Sequence, residues 1–288
     1  MTWLVFLFSF SNIFIMKNLF ALFVCFMIFV LNSCAPKPYA DTNQSYKSQA
    51  KIFAKQLTGL PSIDANDTIR SVPFIVGTTN FNLRKPSFVI IHHTAQNGCE
   101  ETLKTFTTVA SKVSAHYVIC KDGMVHHMLN DYMRAWQAGV SKWGNLTDIN
   151  SSSIGIEIDN NGFESFTDAQ INSLISLLSK LKKEYDIPTA NFIGHGDIAP
   201  GRKVDPSAYF PWKKLADNGF GLWYDEVRDS IPDNFNNVQA LRIIGYNVKD
   251  STNAIRAFKR HFFSDTTKSK ILSDTARSVL YNLSKKYM

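Results

Sequence analysis

His92, His195 and Asp205 are the residue types of a catalytic zinc site. His92 closes the apolar run Phe88-Val89-Ile90-Ile91, and the other two bracket the loop from Gly194 to Pro206. Two imidazoles and one carboxylate give zinc three protein ligands and leave its fourth position to water, whose pKa the metal can lower to about 7. A set of this kind points to a hydrolase. His195 and Asp205 are too far apart in sequence to chelate from one helix, so the loop has to fold back, and Pro200-Gly201 supplies a turn. Lys203, two residues before Asp205, can reach the same cavity and offset developing oxyanion charge. Arg202 beside it reads as solvated surface.

Glu157 is the second chemical candidate. It stands in the middle of Ile154-Gly155-Ile156-Glu157-Ile158, where a carboxylate is costly to bury without a partner. Burial raises its pKa toward the range of a general base. Asp159 lies on the same strand face and competes for the role, and an edge strand with a wet outer face is the bland alternative. His126 and His127 face opposite ways on a strand and read as packing or surface. His261 reads as surface, and Trp136 either walls a pocket or fills the core.

The elements that must position these groups form an α/β pattern from about 70 to 225. Phe88 to Ile91 is a buried strand. On it His92 shares a face with Ile90 and His93 with Ile91, so at most one of the pair is a ligand unless the strand ends there. Leu103, Phe106, Ala110 and Val113 predict a helix near 100–113. Residues 116–120 and 124–128, joined by Lys121-Asp122-Gly123, predict a hairpin. Residues 154–159 alternate as a strand. Thr167-Asp168-Ala169-Gln170 is a capping box opening a helix with Ile171, Leu174, Leu178 and Leu181 on one face. A short strand ends at His195. From 232 to 288 three short helices follow, too small a bundle to be stable without a neighbour. The fold class predicted is α/β, a central mixed β-sheet flanked by helices with a small C-terminal three-helix bundle.

The 288 residues carry 45% hydrophobic side chains and 22 Phe, which places the chain among globular proteins. The N-terminus is set apart. From Met16, Lys17 is followed by an apolar stretch from Leu19 to Leu31 and then Asn32-Ser33-Cys34, the layout of an export signal, with Met16 the expected start. Leu31-Asn32-Ser33-Cys34 resembles a lipobox, making Cys34 the expected lipidation site and membrane anchor, with plain secretion the alternative. The expected location is therefore exported and periplasmic, anchored by lipid to the outer membrane. Residues 35–69 read as a polar tether and lead-in. Cys99 and Cys120 either pair in an oxidising compartment or remain two small hydrophobes. Beyond residue 34 thirty basic side chains face twenty-four acidic ones, and no Lys/Arg run is interleaved with aromatics, so nucleic acid is not an expected partner.

The ordered motifs Ile91-His92-His93-Thr94-Ala95, Ser114-Ala115-His116-Tyr117, Ala135-Trp136-Gln137-Ala138-Gly139, Ser153-Ile154-Gly155-Ile156-Glu157 and the His195–Pro206 loop ending near Phe210-Pro211-Trp212 carry a family likeness. Over residues 88–212 the chain resembles the zinc-dependent N-acetylmuramoyl-L-alanine amidases of the amidase-2 type, and also the peptidoglycan recognition proteins. The resemblance implies zinc ligands His92, His195 and Asp205, a base at Glu157 and a charge-stabilising Lys203. It further implies cleavage of the amide between N-acetylmuramic acid and L-alanine of the stem peptide, with peptidoglycan or muropeptides as partner. His93, His116 and Trp136 are the candidate substrate contacts. Gln137 departs from the frequent His of Trp-His-Ala-Gly and is expected to affect substrate contacts more than catalysis. Residues 254–262 look like a peptidoglycan-binding module. The competing readings are a non-catalytic peptidoglycan-binding protein on the same fold and a zinc hydrolase of another amide.

Overall fold

The computed structural model describes residues 37–58, 78–226 and 229–288. The signal segment and Cys34 lie outside these residues. The chain divides into two compact units, residues 1–80 and 81–288. In the first, Ala40–Thr58 forms helix α1 with no buried residue. Within the polar tether expected there, Ala40–Thr58 is helical, because no Pro or Gly interrupts this span and Ala, Lys, Gln and Leu favour helix.

The second unit is built on a five-stranded sheet of β1 (Phe88–His93), β2 (Tyr117–Ile119), β3 (Val125–His127), β4 (Ser153–Ile158) and β5 (Phe192–Gly194), in the order β3-β2-β4-β1-β5. Only the β2–β3 hairpin is antiparallel; β2–β4, β4–β1 and β1–β5 run parallel. The mixed sheet flanked by helices is the expected architecture. Helix α2 (Cys99–Thr107) is shorter than the 100–113 span read from periodicity. It ends where the hydroxyls of Thr107 and Thr108 bond back to the Leu103 and Lys104 carbonyls, and Lys112 adopts a left-handed backbone. Cys99 at its start pairs with Cys120 in a disulfide.

Strand alternation sorts the core into two layers. Val89, Ile91, Ile154, Ile156 and Ile158 pack on α3 (Asp168–Tyr185) through Ile171, Leu174, Leu178 and Leu181. Thr167 caps α3 with the reciprocal Gln170 bonds that its sequence called for. On the opposite face Ile90 and Ile193 share a core with Leu241, Ile244, Phe258 and Leu280. Those four come from α6 (Asn237–Ile244), α7 (Ser251–Phe263) and α8 (Asp274–Lys285), which follow the short helices α4 (His195–Ile198) and α5 (Trp212–Asp217). The C-terminal helices and the sheet thus bury one apolar layer in common. In the parallel register His92 stands beside Glu157, both on the Ile90 face at the C-terminal ends of their strands, where parallel sheets open toward ligands.

Candidate active site and metal centre

Three side chains converge at the ends of β1 and β5. Asp205 Oδ2 lies 2.9 Å from His92 Nδ1 and 3.0 Å from His195 Nδ1, and the two rings meet edge to face. One ligand atom from each lies within 4.8 Å of the others. All three residues are buried or nearly so, a setting that charged groups tolerate only when paired, as these are with one another. His92 arrives as the last residue on the Ile90 face of β1. His195 opens α4 directly after β5, and Asp205 returns to it through the Pro200-Gly201 turn, with Gly196 N donating to Asp205 O at 2.7 Å.

Glu157 completes the cluster from β4, its Oε1 3.9 Å from His92 Nδ1. Its Oε2 is buried and has no hydrogen-bond partner. Burial pushes this carboxyl up to about 7, against the pull of His92 and Lys203. Burial also opposes charge on His92, but Glu157 and Asp205 outweigh it and raise its pKa; His195 is lowered by burial to about 4. For Asp205 the hydrogen bonds from His195 and His92 overcome burial and hold it well below the usual carboxylate range. An ionised carboxylate between two Nδ1 atoms, beside a buried and unpartnered carboxylate oxygen, is a donor set that suits a divalent cation with nitrogen and oxygen preference.

The outer nitrogens of both imidazoles are held by one segment. His92 Nε2 meets Gln137 Oε1 at 2.6 Å, and His195 Nε2 meets the Ala138 carbonyl at 3.1 Å. Gln137 therefore faces the ligand cluster instead of substrate, which corrects the expectation for this position. Room for it comes from Gly155, where a Cβ would stand 2.5 Å from Gln137 Cγ. Arg202, read as surface, is bound instead: its guanidinium donates to Ala138 O at 2.7 Å and Val140 O at 3.0 Å, pinning the segment over His195.

Other candidates fall elsewhere. His116 is fully buried, with Nε2 donating to Met133 O and Nδ1 accepting from Gly155 N. Both nitrogens are spent on backbone, so His116 offers no edge to a substrate and the expected contact is corrected to a structural role. His93 packs behind the cluster under the turn at Gly162, whose Cβ would lie 2.9 Å from its Nε2. Trp136 is 55% exposed on the rim and fills no core. Lys203 makes its charge felt at Glu157, His93 and His195. His261 is buried, not surface, and donates from Nδ1 to Asp197. Its partner Asp197, which also accepts from the Tyr246 hydroxyl, carried no readable signal in sequence, since it lies 64 residues from His261 and 49 from Tyr246.

Residues 82–208 match the family model described as N-acetylmuramoyl-L-alanine amidase. The chain is 32% identical over 206 residues to the N-acetylmuramoyl-L-alanine amidase AmiD of Escherichia coli, covering 60% of this chain and 74% of that protein. The chain belongs to the N-acetylmuramoyl-L-alanine amidase family. It is an enzyme of that class. The 1,6-anhydro-N-acetylmuramyl-L-alanine amidase AmpD of Haemophilus influenzae is 40% identical over 104 residues, 36% of this amidase and 56% of AmpD. Among solved structures, E. coli AmiD in complex with anhydro-N-acetylmuramic acid-L-Ala-D-gamma-Glu-L-Lys superposes with a TM-score of 0.65 at 28% identity, covering 76% of this chain and 97% of that one. AmpDh3 of Pseudomonas aeruginosa with anhydromuramic pentapeptide gives 0.65 at 29% identity, covering 78% and 98%.

Proposed function

We propose that this amidase hydrolyses the bond between the lactyl carbonyl of N-acetylmuramic acid and L-alanine of the stem peptide, with zinc held by His92 Nδ1, His195 Nδ1 and Asp205 Oδ2. The observation that carries this reading is the buried carboxylate shared by two Nδ1 atoms, with Glu157 Oε2 unpartnered beside it. Zinc there would supply Lewis-acid polarisation and acidify water. Glu157, raised to about 7 by burial, takes a proton from the attacking water and passes it to the leaving amine. The water oxygen bonds to the carbonyl carbon, the C–N bond breaks, and a muramyl carboxylate and a peptide with a free α-amine result. Lys203 offsets charge on the substrate oxygen as the tetrahedral carbon forms. Trp136, exposed at the rim, serves as a substrate contact, whereas His93 is buried under the Gly162 turn and offers substrate no open edge.

The muropeptides bound to the two solved relatives support peptidoglycan fragments as substrate. Export is part of the proposal, supported by the signal-like residues 16–34 and by the Cys99–Cys120 disulfide, which oxidising compartments favour. So is anchoring through a lipid on Cys34. Among the described residues no helix is long and apolar enough to cross a membrane. The likeness of residues 254–262 to a peptidoglycan-binding module supports a second contact with the wall. Incubating the protein with purified sacculi tests the activity: release of peptides with free N-terminal alanine is expected, and sacculi bound but uncut would favour the binding-protein reading.

A further inference from the structure

The C-terminal helices reach the ligand loop through one buried carboxylate. Asp197, 4% exposed, follows His195 by two residues in α4. Its Oδ2 accepts from Gly194 N at 3.0 Å and from His261 Nδ1 at 2.7 Å, and its Oδ1 accepts from the Tyr246 hydroxyl at 2.9 Å. The bond to Gly194 N closes the turn on which His195 sits. The other two donors come from the C-terminal helices, His261 from α7 and Tyr246 from just after α6. A carboxylate this deep is tolerable only while its donors stay in place.

Further contacts surround this one. The His261 ring stacks on Trp212 at 4.0 Å and 15°. Trp212 in turn fills the space of a Gly194 side chain, where a Cβ would lie 2.9 Å from its Cζ2. Arg260 Nη1 stands 3.5 Å from the position a Gly196 Cβ would take, and Asn253 packs directly on Gly201. Residues 194, 196, 197 and 201 are therefore all contacted by groups beyond residue 211. Gly196 N donates to Asp205 O, so the same turn fixes two of the three ligands. A module whose work is wall adhesion needs only a linker or an apolar seam; it has no need to donate two buried hydrogen bonds into the ligand loop.

We propose that the C-terminal helices are a positioning element of the metal centre: Tyr246 and His261, acting through Asp197, preform the turn that carries His195 and Asp205. This rests on the zinc reading above. Partners one shell outside a metal ligand typically change affinity 10- to 100-fold when removed.

The test uses the full-length protein and measures zinc affinity by chelator competition, kcat and KM on a soluble muropeptide, and thermal unfolding. The pair Tyr246→Phe with His261→Leu should raise the zinc Kd by about 10-fold or more and lower kcat with KM unchanged. His261→Asn, whose amide donor can stand near the position of Nδ1, should recover most of the affinity. Lys259→Met, which breaks the Lys259–Asp265 ion pair in the same lobe, is the stability control and should lower Tm while retaining zinc affinity. Unaltered zinc affinity and kcat in the double variant would overturn the proposal, as would an equal loss of affinity in the Lys259 control. Wild-type protein that binds no zinc would overturn the metal reading and this inference together.

Discussion

His92 Nε2 stands 2.6 Å from Gln137 Oε1, and Gln137 Nε2 in turn donates to Ser153 Oγ at 2.8 Å. The Ser153 hydroxyl donates to the Ile149 carbonyl at 2.7 Å, so its oxygen accepts from the amide and fixes which way Gln137 points. An amide oxygen can only accept. His92 Nε2 therefore carries a proton, and Nδ1 is the nitrogen turned toward Asp205. Replacing Gln137 by Met removes the acceptor at similar volume. Zinc affinity, read by chelator competition, should fall about 10- to 100-fold, with a smaller change in the KM for muropeptide. Unaltered affinity would show that the amide has no part in setting the ligand.

Gly155 offers an independent route to the same relay. A methyl there would stand 2.5 Å from Gln137 Cγ and 2.9 Å from its Cδ. Gly155→Ala adds no polar atom and removes none, yet should displace the amide and reproduce the zinc-affinity loss of Gln137→Met. Combining the two substitutions should cost less than the sum of the single effects, as expected for groups acting in one contact.

His116 is predicted to matter for stability and not for substrate. His116→Phe leaves Gly155 N without its acceptor in a fully buried site, at a cost of about 1–3 kcal/mol in unfolding free energy. Denaturant titration measures that loss, and the KM of the folded fraction should stay at its wild-type value. A raised KM with unchanged stability would restore the role expected from sequence.

The C-terminal helices carry a pH signature of their own. The hydrogen bond from Lys259 holds Asp265 at about 2, below its ordinary 3.8. A depressed carboxyl adds stability that is complete above the unfolded value and fades as pH falls through the folded one. Asp265→Asn should therefore lower Tm at pH 6, and the gap to wild type should close between about pH 4 and pH 2. A gap independent of pH would assign the loss to packing alone.

What could be read from sequence was what local chemistry dictates. The capping box at Thr167, the Lys121-Asp122-Gly123 hairpin and the alternation of Ile154 to Ile158 each state their structure within a few residues, and the folded chain keeps them. The site was legible in part, because His92 and Glu157 sit where an apolar strand makes a polar side chain anomalous. Gln137, Arg202 and the Asp197–Tyr246–His261 group were not. Their contacts span 45 to 64 residues, and each side chain looks like ordinary surface until the chain has folded. The helix over Ala40–Thr58 was missed because Pro36, Pro38 and the polar composition around them suggested a tether.

The central claim is that Glu157 moves the proton while His92, His195 and Asp205 hold the metal, and one paired measurement separates the two roles. Bound zinc and turnover on a soluble muropeptide are compared for wild type, Glu157→Ala and Asp205→Ala. The account predicts about one zinc per chain in wild type, zinc retained with kcat reduced by about 10²-fold or more in Glu157→Ala, and both zinc and activity lost in Asp205→Ala. Wild-type turnover in the Glu157 variant, or full zinc and activity in the Asp205 variant, would contradict it.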